Sequence, residues 1–312
     1  LREINSAPAF VEPDVFRTLQ MLPGVQTTSD FSSALYVRGS TPDQNLIMLD
    51  GIAVYNPYHL GGIFSTFNTD AIKEADFHAG GFPARYGGRM GAILNVINRE
   101  GNTEKITGSA NLSLISSKAL IEGPIPKWKG MKGSWMISGR RTYIDKVVDA
   151  LALPSGSKNS DGSDIPLRFP YYFYDYQIKA NLDIDQDHRL TFTRFYGDDV
   201  LDFSYEDPSE TVSNENVTIQ QDSKFGLDWP WGNQTNGLTW RWIVSPKMIT
   251  KTFLSNSRYR FDFDLFFQNR DLYTYSDSTV INFINFNWNI YDIIKDRTLE
   301  TEVQYKYSND HE

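Results

Sequence analysis

The chain has 312 residues, a formal net charge of −9, 14% aromatic residues and no cysteine. This length allows two domains with buried cores, and the lack of cysteine excludes disulfides and thiolate metal sites. The negative charge argues against a nucleic-acid partner, which favours a basic surface. No apolar run reaches the roughly eighteen residues of a membrane helix, whereas alternating β-strands would keep the average hydropathy low.

The first hundred residues predict a small domain with a mixed sheet. Glu12–Leu22 is a helix candidate, because Pro13 lies near its start and Pro23-Gly24 follows it. Asn68 is predicted to cap a short helix that runs through Glu74. Asp50-Gly51 predicts a chain reversal. The predicted strands are Leu35–Arg38, Leu46–Leu49, Ala75–His78 and Ala92–Ile97.

Glycines are frequent between residues 80 and 91, but they do not form a phosphate-binding motif. Neither Gly-Lys-Ser/Thr nor G-x-G-x-x-G opening a helix is present. Close passage of one backbone segment past another explains these glycines better.

Four motifs follow one another in this region: Leu22-Pro23-Gly24-Val25, Val37-Arg38-Gly39, Leu49-Asp50-Gly51, and Arg85-Tyr86-Gly87-Gly88 through Val96-Ile97-Asn98. Their order resembles the plug-domain signature of TonB-dependent outer-membrane receptors. The stretches DQNLIMLDG and GGFPARYGGRMGAILNVI resemble the branch that usually carries an N-terminal carboxypeptidase-regulatory-like domain. Neither that domain nor a TonB box is recognised in residues 1–312. The resemblance implies a small α/β plug at residues 1–104 that lodges inside a β-barrel.

The resemblance also implies plug–barrel contacts. Arg38 matches a plug arginine that the family pairs with barrel carboxylates, and we expect its partner on a barrel strand, within this chain or beyond it. Arg85 is the other expected plug–barrel contact. Many plugs have a further arginine where this chain reads His78-Ala79-Gly80-Gly81, so the usual two-arginine arrangement is in doubt.

Beyond Lys105 the hydrophobic period changes to two, which predicts roughly eight or nine membrane strands. Residues 105–312 are therefore interpreted as the first part of an antiparallel transmembrane barrel of the type with about 22 strands, to be completed by strands beyond the chain. The predicted strands are Thr107–Ile121, Trp135–Tyr143, Tyr172–Ile184, Arg189–Tyr196, Leu238–Val244, Met248–Phe263, Thr279–Tyr291 and Leu299–Tyr307.

The connections are predicted to alternate in length, as periplasmic turns and external loops of a barrel do. A soluble sandwich is the alternative, and it gives no reason for this order. The tight connections are Asp185–His188, Ser245–Lys247 and Ile294–Asp296, and the long ones are Ile144–Pro170, Gly197–Thr235 and Asp264–Ser278.

The alternation also predicts which side chains face lipid and which face the lumen. The residues predicted to face lipid are Tyr176, Ile178, Leu182, Trp240 and Trp242. Those predicted to face the lumen are Asp175, Lys179, Asn181 and Arg241.

No cofactor, metal site or catalytic group is predicted. Asp183-x-Asp185-x-Asp187 resembles the opening of a calcium loop, but His188 and Arg194 stand where glycine and glutamate are required. The four histidines lack metal-ligand spacing. No nucleophile and base are recognised together, so an enzyme is not expected.

The resemblance implies a receptor in the outer membrane of a Gram-negative bacterium that binds a scarce nutrient at the cell surface and imports it actively. The implied partners are the TonB energy-transducing system, outer-membrane lipid, a surface lipoprotein, and a small-molecule ligand such as a siderophore, an oligosaccharide or a peptide. The alternative is a plugged-barrel receptor or assembly component that acts by protein contact without transport.

A ligand-binding plug apex is predicted in the turn-rich loop Tyr55–Gly62, because its side chains combine stacking faces with hydrogen-bonding groups. The predicted ligand-binding residues are Tyr55, Asn56, Tyr58 and His59. Two alternatives stay open: the shorter turn Ser40–Gln44 is the apex, or Tyr58 and His59 fill space against the barrel wall. Trp229 and Trp231 are interpreted as the facing wall of a pocket or as interface anchors.

Overall fold

The structure is a computed structural model that describes residues 13–29, 32–128, 130–151, 154–158, 164–166, 168–214 and 216–307. The described N-terminal elements form a small domain. They are helix α1 (Val15–Gln20) and strands β1 (Val25–Gln26), β2 (Tyr36–Val37), β3 (Leu46–Leu49), β4 (Ile52–Ala53), β5 (Tyr58–His59), β6 (Phe64–Ser65), β7 (Ile72–His78) and β8 (Ile93–Asn98).

The central sheet of this domain has the strand order β4-β3-β8-β7. Strands β3 and β8 are parallel, whereas β3–β4 and β7–β8 are antiparallel. Short pairs form between β1 and β2 and between β5 and β6. The core includes Phe16, Leu49 and Leu94 of this domain and Phe195 of a later strand, which packs against it.

Local polar residues set the ends of these elements. Asp14 caps α1, since its Oδ1 accepts a hydrogen bond from Phe16 N at 2.7 Å while its Oδ2 accepts one from Ser65 N at 2.8 Å. The predicted reversal at Asp50-Gly51 is confirmed: φ is 51° and 83° at the two residues, the left-handed pair that a type I′ hairpin requires.

One prediction in this domain is wrong. Asn68 does cap a short turn, with its Oδ1 accepting from Asp70 N at 3.1 Å, but the turn is a 3-10 helix over Thr69–Ala71. Strand β7 begins immediately afterwards at Ile72, because this segment pairs with β8 and extends rather than coils. No helix therefore reaches Glu74.

The described C-terminal strands form one antiparallel sheet of eight strands. Each strand pairs with its neighbours in chain order, and β9 and β18 are the two edges of the open sheet. The strands are β9 (Thr107–Leu112), β10 (Ser116–Trp128), β11 (Met131–Thr142), β14 (Tyr171–Asp183), β15 (His188–Ser213), β16 (Val217–Ser245), β17 (Met248–Tyr275) and β18 (Thr279–Tyr305). Helix α2 (Ile144–Leu151) and the hairpin strands β12 (Pro154–Lys158) and β13 (Asp164–Pro166) lie between β11 and β14.

Several predicted strand limits are wrong. Gly197–Thr235 is not a loop, because β15 and β16 remain paired as far as Ser213 and Thr218. Asp264–Ser278 is mostly strand, since β17 and β18 pair as far as Thr274 and Thr279. Ile294–Asp296 is not a turn but the middle of β18, where Ile294 pairs with Tyr259.

One predicted strand is instead two. Thr107–Ile121 contains the reversal between β9 and β10, where Ser113 N donates to Ser116 O at 2.8 Å. Conversely, the last two predicted strands are one strand, β18. The number of strands in the described sheet therefore falls within the predicted range although the boundaries differ.

The two faces of the sheet differ as the alternation predicts. We call the face toward the N-terminal domain the inner face. Along β14, Asp175, Lys179 and Asn181 are buried on the inner face, while Tyr176, Ile178 and Leu182 alternate with them on the outer face. On β16, Trp240 and Trp242 lie on the outer face, and Arg241 lies on the inner face with its register partner Arg189, which binds Glu100 of the N-terminal segment.

Within the described residues, no helix combines the length and the apolar character needed to cross a membrane. Strand β8 ends at Asn98 and β9 begins at Thr107. The predicted division at residues 104 and 105 falls between them and stays a prediction of the domain limits.

Candidate functional site

The contact between the N-terminal domain and the inner face of the large sheet includes hydrogen bonds and ion pairs beside the apolar contacts of Phe173, Phe195 and Met136. Asn68 Nδ2 donates to Ser138 Oγ at 2.7 Å, and Ser257 Oγ donates to the carbonyl oxygen of Ala53 at 2.6 Å. Arg99 binds Glu122 at 3.1 Å, and Lys118 binds Asp70 at 3.1 Å. Hydrogen bonds and ion pairs of this kind can be exchanged for water, so this contact differs from an apolar domain core.

Two clusters of buried charged groups lie in this contact. The first, which we call the His59 cluster, contains His59 from β5 and four residues from the sheet: Arg140, Tyr171, Asp175 and Asp199. His59 Nδ1 lies 2.6 Å from Asp199 Oδ2, and His59 Nε2 lies 3.6 Å from Asp175 Oδ2. Arg140 Nε donates to the same Asp175 oxygen at 2.8 Å.

The surroundings of His59 are almost closed to water. Its ring stacks on Phe173 with centroids 3.9 Å apart, and His59, Asp175 and Asp199 are each at most 2% exposed. The Tyr171 hydroxyl and the Leu60 amide both donate to the remaining Asp199 oxygen. When His59 is protonated, the cluster contains two cations, His59 and Arg140, and two carboxylates, so its net charge is zero.

Burial opposes the charged form of His59, but the negative charge of Asp199 and the contacts with both carboxylates outweigh it and raise the pKa of His59 above its usual value. The protonated imidazolium can donate from both ring nitrogens. The raised pKa therefore favours a charged His59, which the sheet holds between two carboxylates.

The second group, which we call the Asp50 cluster, contains Asp50, Asn98, Lys179 and Thr193. Lys179 Nζ donates to Asp50 Oδ1 at 2.7 Å and to the Asn98 carbonyl at 3.0 Å. Thr193 Oγ1 donates to Asp50 Oδ2 at 2.8 Å, and the Asn98 side-chain amide donates to the same oxygen at 3.0 Å. The left-handed turn at Asp50-Gly51 presents this carboxylate to the sheet.

The four residues of the predicted ligand site separate into two pairs. Tyr55 and Asn56 lie at the tip of the loop: the Tyr55 hydroxyl donates to Asp296, and Asn56 is exposed, with its Nδ2 3.3 Å from the Tyr259 hydroxyl. Tyr58 packs on Phe16 with ring centroids 4.9 Å apart, and His59 is fully buried. His59 thus packs against the sheet, as in the alternative in which both side chains fill space against the wall, whereas Tyr58 packs on the helix of its own domain.

The two predicted plug–barrel arginines are exposed. Arg38 lies beside Gly24 and Gly80, and among the described residues it forms no ion pair with the sheet. Arg85 lies against the Tyr86 ring and lines a cavity of about 470 Å³ between the N-terminal domain and strands β17 and β18. Lys251, Asp296 and Glu300 line the opposite wall of this cavity. Barrel carboxylate contacts of Arg38 and Arg85 stay predictions.

Sequence reasoning missed the residues that make the buried contacts. The sequence places Asp50 in a turn and in the Leu49-Asp50-Gly51 motif but does not predict its contact, in which the expected charges are reversed: a carboxylate of the N-terminal domain meets a lysine of the sheet. A signal was available for the sheet residues, since Arg140, Asp175 and Lys179 are charged groups on predicted strands and an inward-facing charge in a barrel needs a partner. Among the described residues, no group of three or more metal-ligating side chains lies together.

The family model described as TonB-dependent Receptor Plug Domain matches residues 12–93. This segment supplies His59 and Asp50 to the two clusters, and it is the domain enclosed by the sheet. Residues 12–93 therefore carry a TonB-dependent receptor plug domain, and strands β9–β11 and β14–β18 form the antiparallel sheet that packs against it. A search of curated proteins finds no match to the chain.

Solved structures of outer-membrane receptors are similar to this chain at low identity. The outer membrane transporter YddB from Escherichia coli is 8% identical, with 92% of this chain and 56% of YddB covered and a TM-score of 0.43. The FrpB iron transporter from Neisseria meningitidis (F3-3 variant) is 11% identical, with 99% and 61% covered and a TM-score of 0.43. The siderophore receptor PirA from Pseudomonas aeruginosa is 13% identical, with 89% and 57% covered and a TM-score of 0.41. The chain therefore spans somewhat more than half the length of each.

Proposed function

We propose that the complete protein binds a scarce nutrient at the cell surface and imports it into the periplasm, using energy delivered by TonB. The observation that carries this proposal is the exchangeable contact between plug and wall. A plug that is held by hydrogen bonds and two charge clusters can be displaced when water replaces those contacts, whereas a large dry interface would resist displacement.

We also propose that the ligand first meets the plug at Tyr55 and Asn56. The inner face of the sheet above this loop is lined by aromatic rings that touch one another: Trp229 lies 5.4 Å from Trp231 and 5.4 Å from Phe263, which lies 5.5 Å from Trp288. Trp231 and the plug residues Leu60 and Ile63 pack against the same cluster of buried aromatic rings. Flat apolar rings next to the polar loop tip give a ligand both stacking and hydrogen-bonding contacts.

Uptake by cells tests the proposal. Cells that express the complete receptor are given radiolabelled ferric siderophore, cobalamin or maltooligosaccharide, each with and without a functional TonB. Import of one probe that requires both the receptor and TonB supports transport. Surface binding of a probe that is independent of TonB and is followed by no import would instead support the alternative of a receptor that acts by contact alone.

The loop tip has its own test. The double variant Tyr55→Phe, Asn56→Ala should weaken binding of the imported probe without changing the folded barrel, which heat-dependent gel mobility reports. The matched control is Gln44→Ala in the competing turn Ser40–Gln44. A loss of binding in the control but not in the double variant would move the contact site to that turn.

A further inference from the structure

The outer face of the sheet carries two levels of aromatic residues. Tyr174, Tyr176 and Tyr196 stack, with Tyr196 5.9 Å from Tyr174 and 5.4 Å from Tyr176. Trp240 and Trp242 stack 5.7 Å apart close to the short β16–β17 turn. Aromatic side chains of this kind mark the two membrane–water interfaces of a barrel.

The residues between these levels form an apolar belt. Its outward-facing side chains include Ile178, Leu182, Leu190, Phe192, Leu238 and Leu254. His188, which pairs with Trp242, and Tyr196 are eight residues apart on β15, which corresponds to about 27 Å along the strand. Since barrel strands are tilted by about 40°, this length spans a height of about 21 Å, which is comparable to the roughly 25 Å lipid-facing band of a barrel. Strand β15 begins at His188 near the tryptophan level but continues beyond the tyrosine level to Ser213, so the tyrosine level lies on the side where the strands extend outside the membrane, which is the outer leaflet.

Basic residues are concentrated on the outer face at this tyrosine level. Going outward along β17, Leu254 is followed on the same face by Asn256, Arg258 and Arg260, and their register partners on β18 are Arg297, Lys295 and Ile293. Arg194 faces outward on β15 and donates to the Tyr176 hydroxyl at 3.0 Å and to Asn236 at 2.8 Å. Arg260 is paired with Asp198 at 2.7 Å.

Three of these cations have no acidic partner among the described residues. Arg258 and Lys295 are directly opposite each other on neighbouring strands, and Arg297 is the next outward-facing residue of β18. In the part of the chain that the structure describes, none of the three forms an ion pair. Like charges directly opposite on a sheet repel each other, so this arrangement needs a counter-charge from outside the described residues.

Farther from the β16–β17 turn, the next outward-facing residues on neighbouring strands are acidic. Asp202 pairs with Asp228, and Asp228 pairs with Asp264, while Asp262 follows Arg260 on the same face of β17. These carboxylates repel anions. An anionic group is therefore favoured only in the layer between the apolar belt and the acidic rows, which is the level of lipid headgroups.

We propose that Arg258, Lys295 and Arg297 form a binding surface for the phosphate groups of outer-leaflet lipids. The lipid chains lie against the apolar belt, and the phosphates accept hydrogen bonds from the two guanidinium groups and the ammonium group. The tyrosine hydroxyls at the same level add hydrogen-bonding capacity. The site lies on the opposite face of the sheet from the plug, so it is separate from ligand transport.

The test measures binding of purified, delipidated complete receptor to lipid A and to enzymatically dephosphorylated lipid A by native mass spectrometry. The wild type should bind the phosphorylated lipid at least about fivefold more tightly, the effect of about one basic residue near an anionic surface. The variant R258Q/R297Q should lose this preference, and R258K/R297K should retain it. The control R241Q/K251Q removes two cations from the inner face and should also retain it.

Two results would overturn the proposal: equal binding of both lipids by the wild type, or an unchanged preference in R258Q/R297Q. The second result would mean that the cations pair with protein carboxylates on a neighbouring strand. Heat-dependent gel mobility reports whether each variant is folded. If R258Q/R297Q does not fold, the comparison of the two lipids on the wild type still decides the question.

Discussion

The two charge clusters that connect the plug to the wall use opposite charges. In the Asp50 cluster the plug contributes a carboxylate to Lys179 of the sheet, whereas in the His59 cluster it contributes a histidine to two carboxylates of the sheet. Histidine is the side chain whose ordinary pKa lies closest to the physiological pH range. The His59 cluster can therefore couple plug retention to pH.

The clusters also differ in how well their members are bonded. Asp50 accepts hydrogen bonds from Lys179, Thr193 and Asn98, so both of its oxygens are used. In the His59 cluster, Asp175 Oδ1 and His59 Nε2 are buried without a hydrogen-bond partner. In the Asp50 cluster, Asn98 Oδ1 is likewise buried without a partner among the described residues, so the difference concerns the carboxylates. Both oxygens of Asp50 are bonded, whereas Asp175 Oδ1 is not, and a small movement or a water could complete its bonding.

The largest effect is expected when the cation of the Asp50 cluster is removed. Lys179→Met should reduce the free energy of plug docking by about 3 kcal/mol, because Asp50 stays buried without its counter-charge. The measurement is the urea concentration at which channel conductance appears in planar bilayers that contain the complete receptor. Lys251→Met, which removes another inner-face cation, is the matched control. Equal shifts in the two variants would mean that the Asp50–Lys179 pair has no special role.

A smaller effect is expected when the His59 cluster loses one carboxylate. Asp199→Asn should weaken plug docking by about 2 kcal/mol at acidic pH, because the amide can still accept the hydrogen bonds from Tyr171 and Leu60 but no longer balances the imidazolium. The same conductance experiment reports the change. Asp202→Asn, three residues along the same strand and on the outer face, should leave the urea midpoint unchanged. A comparable loss in that control would point to a general strand effect.

The pH dependence separates the two clusters. A raised pKa of His59 stabilises the docked plug fully below the unfolded value of about 6.5, and this stabilisation is lost as the pH rises through the higher folded value. The urea midpoint should therefore fall between neutral and alkaline pH. His59→Gln should remove this pH dependence, and His78→Gln, whose partner Asp76 is in the plug itself, should keep it. If His59→Gln leaves the pH profile unchanged, another group causes the pH dependence of the urea midpoint.

The smallest effect is expected at the loop tip. Tyr55→Phe removes one hydrogen bond to Asp296 and should cost about 1 kcal/mol of plug docking. Tyr86→Phe is the control, because Tyr86 lines the same cavity and its ring contacts stay intact. If Tyr55→Phe reduced the free energy of plug docking more than Asp199→Asn does, this would contradict the expectation that the charge clusters hold the plug more strongly than single hydrogen bonds.

Local patterns in the sequence predict much of the fold. The apolar run Leu46–Leu49, the Asp50-Gly51 turn and the alternation of β14 each depend on neighbours in sequence, and each is found as predicted. Strand limits beyond the membrane could not be predicted, because the polarity of the two faces reverses there. Around residues 200–205 and 225–231 the aromatic side chains face inward and the acidic ones outward. These segments alternate strictly, but their composition resembles that of polar loops.

The partners across the plug–wall contact could not be predicted either. Asp50 and Lys179 are 129 residues apart in sequence, and His59 and Asp199 are 140 apart. The pairing of such distant residues depends on how the plug is seated in the barrel, and alternation along one strand contains no information on that. Sequence shows that Asp175 and Lys179 face inward, but only the structure shows which plug residue each one meets.

The central claim is that the plug must separate from this wall for transport to occur. Asn68 of the plug and Ser138 of the wall lie in hydrogen-bond contact at 2.7 Å, and the chain has no cysteine of its own. In the variant Asn68→Cys, Ser138→Cys, oxidation should join plug and wall and stop TonB-dependent uptake of the probe that the wild type imports. Reduction should restore it, and Ser138→Cys alone should be unaffected. Uptake at the wild-type rate in fully cross-linked receptor would contradict the claim.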